Sequence, residues 1–332
     1  MTLECALPCA SHVHERRLVA WATALVRTLP ACVLAAFAAA PLYAQSVDDG
    51  VMLPKGTMVV GDFYSHDSWE KYWEGTLKRD NANIGELTTQ TNTWLLNYGL
   101  TDRLTVMTTI PRVWTHASQG VLHEMAGFQD MTLAAKYSVW ERRGTRMGSL
   151  RAIAAVAGAF PLTDYTPDFY PLSIGSASRR VSGRVTLGAQ SAGGWFVSGS
   201  TAYTWRASVK LDRPYYFTDG RLFLTDTVDM PNVFDYVATA GYGQRAWMTS
   251  ASFSQQRTLG GGDIRRHDMP FVSNRMNFSK VGGMVMAGVP KIESLSAVFA
   301  YNYTIAGRNV GQAQTFTAGL LYRLPFNTRT VR

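Results

Sequence analysis

Thr315-Phe-Thr-Ala-Gly-Leu-Leu-Tyr-Arg-Leu-Pro-Phe326 is the stretch whose reading decides the fold. Phe316, Ala318, Leu320, Tyr322, Leu324 and Phe326 fall at every second position, separated by Thr315, Thr317, Gly319, Leu321, Arg323 and Pro325. Side chains two apart share one face of an extended strand. A helix would space its apolar residues by three and four. The stretch therefore reads as a strand with one apolar, aromatic face and one mainly polar face.

The same alternation recurs upstream. Met131, Leu133, Ala135, Tyr137 and Val139 form one set; Val181, Val185, Leu187 and Ala189 form a second; Trp195, Val197, Thr201, Tyr203 and Trp205 a third. Phe234 to Tyr242 and Leu295 to Tyr303 repeat it. Several sets carry aromatics near their ends, as expected for the girdles of a membrane barrel at its two interfaces. The pattern predicts about twelve strands, with spans near 57–64, 88–99, 103–113, 128–139, 147–160, 180–192, 195–206, 233–243, 246–258, 272–288, 294–304 and 313–326.

Connection lengths alternate as well. Long stretches (65–87, 114–127, 161–179, 207–232, 259–271, 305–312) take turns with short ones (100–102, 140–146, 193–194, 244–245, 289–293). Short turns on one side and long loops on the other describe an all-β transmembrane antiparallel barrel with periplasmic turns and extracellular loops. The even strand count puts both ends of the barrel on the short-turn side. A mean hydropathy of -0.06 fits this class, because a lipid-facing and a polar face cancel on averaging.

The N-terminal region fits an exported chain. Arg16, Arg17 and Arg27 precede an uncharged run from Leu29 to Leu42, and Tyr43-Ala44 follows. A basic region, a short apolar run and a small residue at the cut describe a secretory signal peptide, cleaved after Ala44. The run is too short to cross a bilayer as a helix, which takes about 20 residues. The expected domains are thus a signal peptide over 1–44 and one barrel over 45–332. Cys5, Cys9 and Cys32 all lie in the removed segment, so the mature barrel has no disulfides. It keeps 29 basic against 22 acidic side chains, a net +7 spread thinly. No Lys/Arg arm suggests nucleic acid as a partner. The expected location is the outer membrane of a Gram-negative bacterium. Outer-membrane lipid, the barrel-assembly machinery and a small hydrophobic or anionic solute are the expected partners.

Several motifs resemble a known family. Tyr98-Gly-Leu-Thr-Asp-Arg-Leu104, followed by Val106 and Ile110-Pro111, resembles the turn between two strands of exported barrels in the MetA-pathway phenol-degradation family. Gly127-Phe-Gln-Asp130 with Leu133 and Lys136-Tyr137 is similar to that family's next strand start, with slightly altered spacing. Ala306-Gly-Arg-Asn309 and Gly319-Leu-Leu-Tyr-Arg323 are similar to its C-terminal hairpin. The resemblance implies an outer-membrane β-barrel and suggests uptake of hydrophobic or aromatic compounds. Phe326 is followed by six further residues, so the final aromatic common in such barrels is displaced from the terminus.

Residues with catalytic potential are few. A nucleophile needs a base within hydrogen-bond reach, and His66, His116, His123 and His267 all fall in predicted external loops. His116, His123 and Glu124, or His66, Asp67 and Glu70, are donor types that zinc accepts, but on solvated loops they read as polar surface. The Gly260–Gly262 run links two strands and lacks the following helix of a phosphate loop. No enzymatic activity, catalytic residue, metal or cofactor is expected.

The strand charges say more. A Lys or Arg facing lipid at the midplane costs about 2–4 kcal/mol, which directs such residues inward. The expected lumen lining is Lys136, Arg151, Arg184, Arg206, Arg275 and Arg323, with Asp62 and Asp235 as acidic counterparts. Inward Gly188, Gly241, Gly319 and Ala134 save volume, while Phe196, Ile153 and Leu321 take it up. Tyr165, Phe169 and Tyr170 in one loop, and Tyr215, Tyr216 and Phe217 in another, are expected at the mouth as a lid or an entry site. These features predict a channel for passive uptake of small solutes, with aromatic or hydrophobic acids favoured, through a basic-lined lumen that focuses anions. The alternative is a non-conducting structural or surface-interaction barrel whose aromatic loops bind a partner.

Overall fold

The structure is a computed structural model that describes residues 46–325, apart from 146, 147, 245 and 267. The expected signal segment, His267 and Phe326 with its tail lie outside the described residues. Twelve long strands follow one another: β1 Thr57–Trp69, β2 Leu87–Thr101, β3 Leu104–Ala117, β4 Asp130–Thr145, β5 Gly148–Pro161, β6 Arg180–Gln190, β7 Trp195–Arg206, β8 Val233–Gly243, β9 Trp247–Thr258, β10 Asn277–Gly288, β11 Leu295–Arg308 and β12 Gln314–Pro325. Each pairs antiparallel with the next, and β1 pairs with β12 as well as with β2, so the sheet closes on itself. Closure leaves no edge strand, which a bilayer requires because lipid cannot satisfy free backbone groups.

All twelve expected strands are present. Several run further at their extracellular ends: β1 to Trp69, β3 to Ala117 and β11 to Arg308. His66 and His116 consequently sit on strand ends rather than in loops. Alternation could not set these limits, because beyond the membrane both faces of a strand meet water and the apolar period fades. At the other extreme β10 begins only at Asn277, five residues later than the pattern suggested.

The outward row has the expected character. Val60, Tyr64, Leu133, Tyr137, Val156, Val185, Leu187, Val197, Phe299, Phe316 and Leu320 are all exposed. Trp195 meets Tyr242 edge-on at 5.0 Å between ring centroids, and Tyr203 meets Trp205 at 4.7 Å, marking the two ends of β7 with aromatic pairs. One seam is irregular. β3 pairs with β4 from Leu104 to Thr109, then with the short segment Ala126–Phe128 from Arg112 onward. Pro111, which has no N–H to give, stands at the break and accepts from the Gln129 amide at 2.9 Å.

Long loops carry small sheets of their own. Lys71–Glu74 pairs with Leu77–Asp80, Val209–Lys210 with Thr227–Val228, and Tyr216–Thr218 with Arg221–Phe223. The last two belong to an apolar cluster of Val209, Leu211, Tyr216, Val228, Met230, Phe271 and Val272. This cluster joins the 207–232 and 259–276 loops into one packed body.

The lumen and the segment that crosses it

Residues 46–56 precede β1 and lie inside the barrel at its short-turn end. Thr57 and Gly56 anchor the segment, through an amide bond to Pro54 O (3.1 Å) and one to Gly99 O (2.8 Å). Leu53 is fully buried among Val59, Met286, Val298 and Leu321, which come from β1, β10, β11 and β12. Its amide donates to Thr105 Oγ1 at 3.2 Å. Across the lumen, Lys136 on β4 is 0% exposed, and its Nζ donates to Ser46 O, Asp49 O and Asp49 Oδ1 at 2.9, 2.9 and 2.7 Å. Arg151 on β5 donates to Gly50 O at 3.2 Å. The segment thus spans from one wall to the opposite one, with an apolar anchor at Leu53 and an ionic anchor at Asp49.

Beside the segment lies a cavity of ≈ 940 Å³. Its wall on β7 to β11 mixes the hydroxyls of Ser198, Thr239, Ser250, Ser252 and Ser254 and the amide of Asn302 with the apolar Phe196, Val237, Met248 and Met284. Glycines shape it in two different ways. A Cβ on Gly188 would make only ordinary van der Waals contact, at 3.9 Å from Gly50 and Ser198, so a methyl group fits there without strain. A Cβ on Gly241 would fall 2.4 Å from the Phe196 ring, and one on Gly319 2.3 Å from the Phe63 ring. There the glycines make room for inward phenylalanines, and the volume expected as a gap is filled.

The charged residues line β4 to β8 and are mostly neutralised by neighbours. Arg151 pairs with Glu141 at 2.6 Å, and Arg184 with Asp235 at 2.5 Å, the former also touching the segment. Arg184 also donates to Ser200. Arg180, at the extracellular end of β6, pairs with the buried Asp130 at 3.1 Å. Arg206 on β7 lies directly opposite Arg180 in the β6–β7 register. Arg323 takes an inward register position opposite Val59.

Two expected lining residues lie elsewhere. Asp62 is exposed on the outer face, in register with the outward Trp94 and Leu320. Strict alternation puts 60, 62 and 64 on one face, and Val60 and Tyr64 set which face that is. Trp94 packs on Phe128 at 6.1 Å, so Asp62 stands beside an aromatic pair on the outer face. Arg275 precedes β10 and is part of the external loop, its Nε donating to Gly260 O at 3.3 Å and its amide to Gly262 O at 3.0 Å.

The loop aromatics divide among four environments instead of forming one lid. Tyr216 is buried and stacks between Phe223 and Phe271 at 4.9 and 5.1 Å, and Tyr170 packs against the same cluster. Phe169 packs with Ile84, Leu87 and Leu172. Tyr165 donates to Asp130 Oδ1 at 2.5 Å and accepts from the Ala177 amide; burial and this carboxylate push its hydroxyl pKa well up, so it stays a donor. Tyr215 and Phe217, the neighbours of Tyr216 in sequence, point away and are 53% and 54% exposed.

The sequence reading had no signal for the lumen segment. Nothing in Ser46 to Gly56 alternates, and its only hint was the pair of acids Asp48 and Asp49 upstream of a barrel with inward cations.

A closed antiparallel barrel of twelve strands, aromatic and apolar outside and polar within, is an outer-membrane β-barrel of a Gram-negative bacterium. The chain belongs to the family described as "Putative MetA-pathway of phenol degradation", whose model matches residues 81–320. No curated protein matches it. Among solved structures it is similar in fold to an outer membrane channel from Pseudomonas putida F1, at 16% identity and a TM-score of 0.66, over 84% of this chain and 100% of that one. Weaker likenesses include the NanC porin (8% identity, TM-score 0.46, 79% of this chain and 100% of that). Another is the TodX monoaromatic hydrocarbon channel (10%, 0.41, 83% and 91%).

Proposed function

We propose that this barrel is an outer-membrane channel for passive entry of small solutes, with aromatic or other hydrophobic acids as the favoured class. The observation that carries the reading is the lumen cavity of ≈ 940 Å³, whose wall combines serine and threonine hydroxyls with apolar side chains. Its volume lies in the range of sites that hold small molecules, about 300–1,000 Å³. Hydroxyl groups can exchange hydrogen bonds with a passing polar group without holding it, which suits conduction. The cationic wall of β4 to β8 supports the preference for acids, although its ion pairs weaken the focusing that unpaired charges would supply.

Residues 46–56 favour a second reading, a barrel that does not conduct and whose exposed Tyr215, Phe217, Leu222 and Leu224 bind a partner. Single-channel recording separates the two. The protein refolded from the mature chain is compared with one lacking residues 46–52, with and without benzoate. Small anion-selective openings in the full chain, enlarged by the deletion and blocked by benzoate, are expected. Silence of both folded proteins would sink the channel and favour the surface role. If only the shortened protein conducts, residues 46–56 are a gate.

A further inference from the structure

Of the cations on the inner wall of β4 to β7, four have acids: Lys136 has Asp49, Arg151 has Glu141, Arg180 has Asp130 and Arg184 has Asp235. Arg206 has none among the described residues. It is inward because its neighbour Trp205 is 54% exposed on the lipid side and its cross-strand partner Arg180 reaches the buried Asp130. Its Nε is sealed from solvent without an acceptor, and the residue as a whole is half-buried.

Like charges directly opposite on a sheet repel, and Arg206 faces Arg180 in register at the extracellular end of the lumen. Asp130 supplies a single negative charge, which already faces Arg180 and the Tyr165 hydroxyl. Tyr170, from the 162–179 loop, lies within electrostatic reach of Arg206, Arg180 and Asp130. Burial is the main cause that raises its hydroxyl pKa, so it remains a neutral donor. Two guanidiniums, one acid and two tyrosines leave one positive charge uncompensated in a sheltered place. A guanidinium fork matches a carboxylate in shape and charge.

We propose that Arg206, with Arg180 and Tyr170 beside it, is a carboxylate-binding subsite at the extracellular end of the lumen that selects the acid group of an incoming aromatic or apolar solute. The assignment rests on the channel reading for its purpose, while its chemistry is testable without conduction. It makes Arg206 the first contact below the loops, and leaves the ion pairs of Arg184 and Arg151 further in as structural features of the wall.

Equilibrium dialysis of the detergent-solubilised mature barrel against benzoate, and against benzyl alcohol as the neutral counterpart, tests it. Wild type is expected to prefer benzoate. Arg206→Gln should weaken benzoate by about tenfold or more and leave benzyl alcohol unchanged. Arg112→Gln, which removes a charge from the outer face, should change neither. Unaltered benzoate affinity in Arg206→Gln, or equal losses in Arg206→Gln and Arg112→Gln, would overturn the subsite. Heat-modifiable gel mobility reports assembly. Should Arg206→Gln fail to assemble, wild-type crystals soaked in benzoate decide the matter: its carboxylate is expected on the Arg206 guanidinium, and density only elsewhere overturns the proposal. A silent barrel with Arg206-dependent binding keeps the subsite and removes the channel. A conducting barrel without such binding does the reverse.

Discussion

Individual positions on the two faces obey different rules. Inside, Gly319 has the Phe63 ring where a Cβ would stand, and Gly61 is crowded by Leu321, Leu95 and the same ring. Gly319→Ala must push the half-buried Phe63 ring aside and crowds the Asp62 carbonyl, and overpacking of this kind costs about 1–3 kcal/mol. Denaturant unfolding in micelles should show that loss, whereas Gly188→Ala, whose Cβ would make only ordinary contacts at 3.9 Å, should unfold as wild type does. Outside, Asp62 stands beside Trp94 on the exposed face. Asp62→Leu should leave stability within about 1 kcal/mol of wild type or raise it. A loss of several kcal/mol would mean that the carboxylate has a partner on the outer surface. The alternation that located the strands also located Asp62, once Val60 and Tyr64 were seen to share its face.

Among elements, the external loops are held by a polar clasp as well as by their apolar cluster. Asp263 accepts from Arg308 Nε and Nη2 at 2.7 and 2.5 Å and from Asn309 Nδ2 at 2.8 Å. Asn309 reaches in addition to the Gly75 and Ile264 amides at 2.9 and 3.0 Å, tying three loops together. The Arg308 hydrogen bonds, more than any other cause, lower the Asp263 pKa from 3.8 to about 2. A carboxyl with a depressed folded pKa stabilises above its unfolded value, and that contribution fades as pH falls from about 4 towards 2. The thermal midpoint of the wild type should therefore drop over this window more than that of Asp263→Asn, which lacks the titrating group. Equal acid sensitivity of the two would remove the clasp from the account. None of this was visible beforehand, since Asp263, Asn309 and Gly75 are far apart in the chain and meet only when the barrel brings their loops together.

The molecule as a whole is an exported barrel with a segment of its own chain in its lumen. Ser46 is already at Lys136, so the proposed cut after Ala44 would place the new terminus beside the ionic anchor of the lumen segment. Mass spectrometry of protein purified from outer membranes should find Gln45 first and no cysteine. A mature protein that retains Cys32 would contradict that boundary. Lys136 and Asp49 make a buried pair, and breaking such a pair by removing one partner costs about 3–5 kcal/mol where the other must stay buried. Asp49 belongs to a segment that could leave. Lys136→Met is thus expected to expose residues 46–52 to protease at the periplasmic end while the barrel itself stays folded.

By itself the sequence determined the architecture: twelve strands, their order and handedness of exposure, the side with short turns, and the membrane in which such a barrel belongs. Those are properties of a period of two and of loop lengths, both local in the chain. It also placed Lys136, Arg151, Arg184, Arg206 and Asp235 on inward strand positions. Tertiary structure alone decided what each of them does there. Whether an inward cation faces an open lumen, a neighbouring acid or the chain's own N-terminal segment depends on residues brought together by closure of the sheet, Asp49 with Lys136 and Asp130 with Arg180. Pairing across a barrel carries no periodic signature. The same holds for volume: Gly188 has room for a methyl group and Gly319 does not, because only one of them has a phenylalanine from the next strand lying over it.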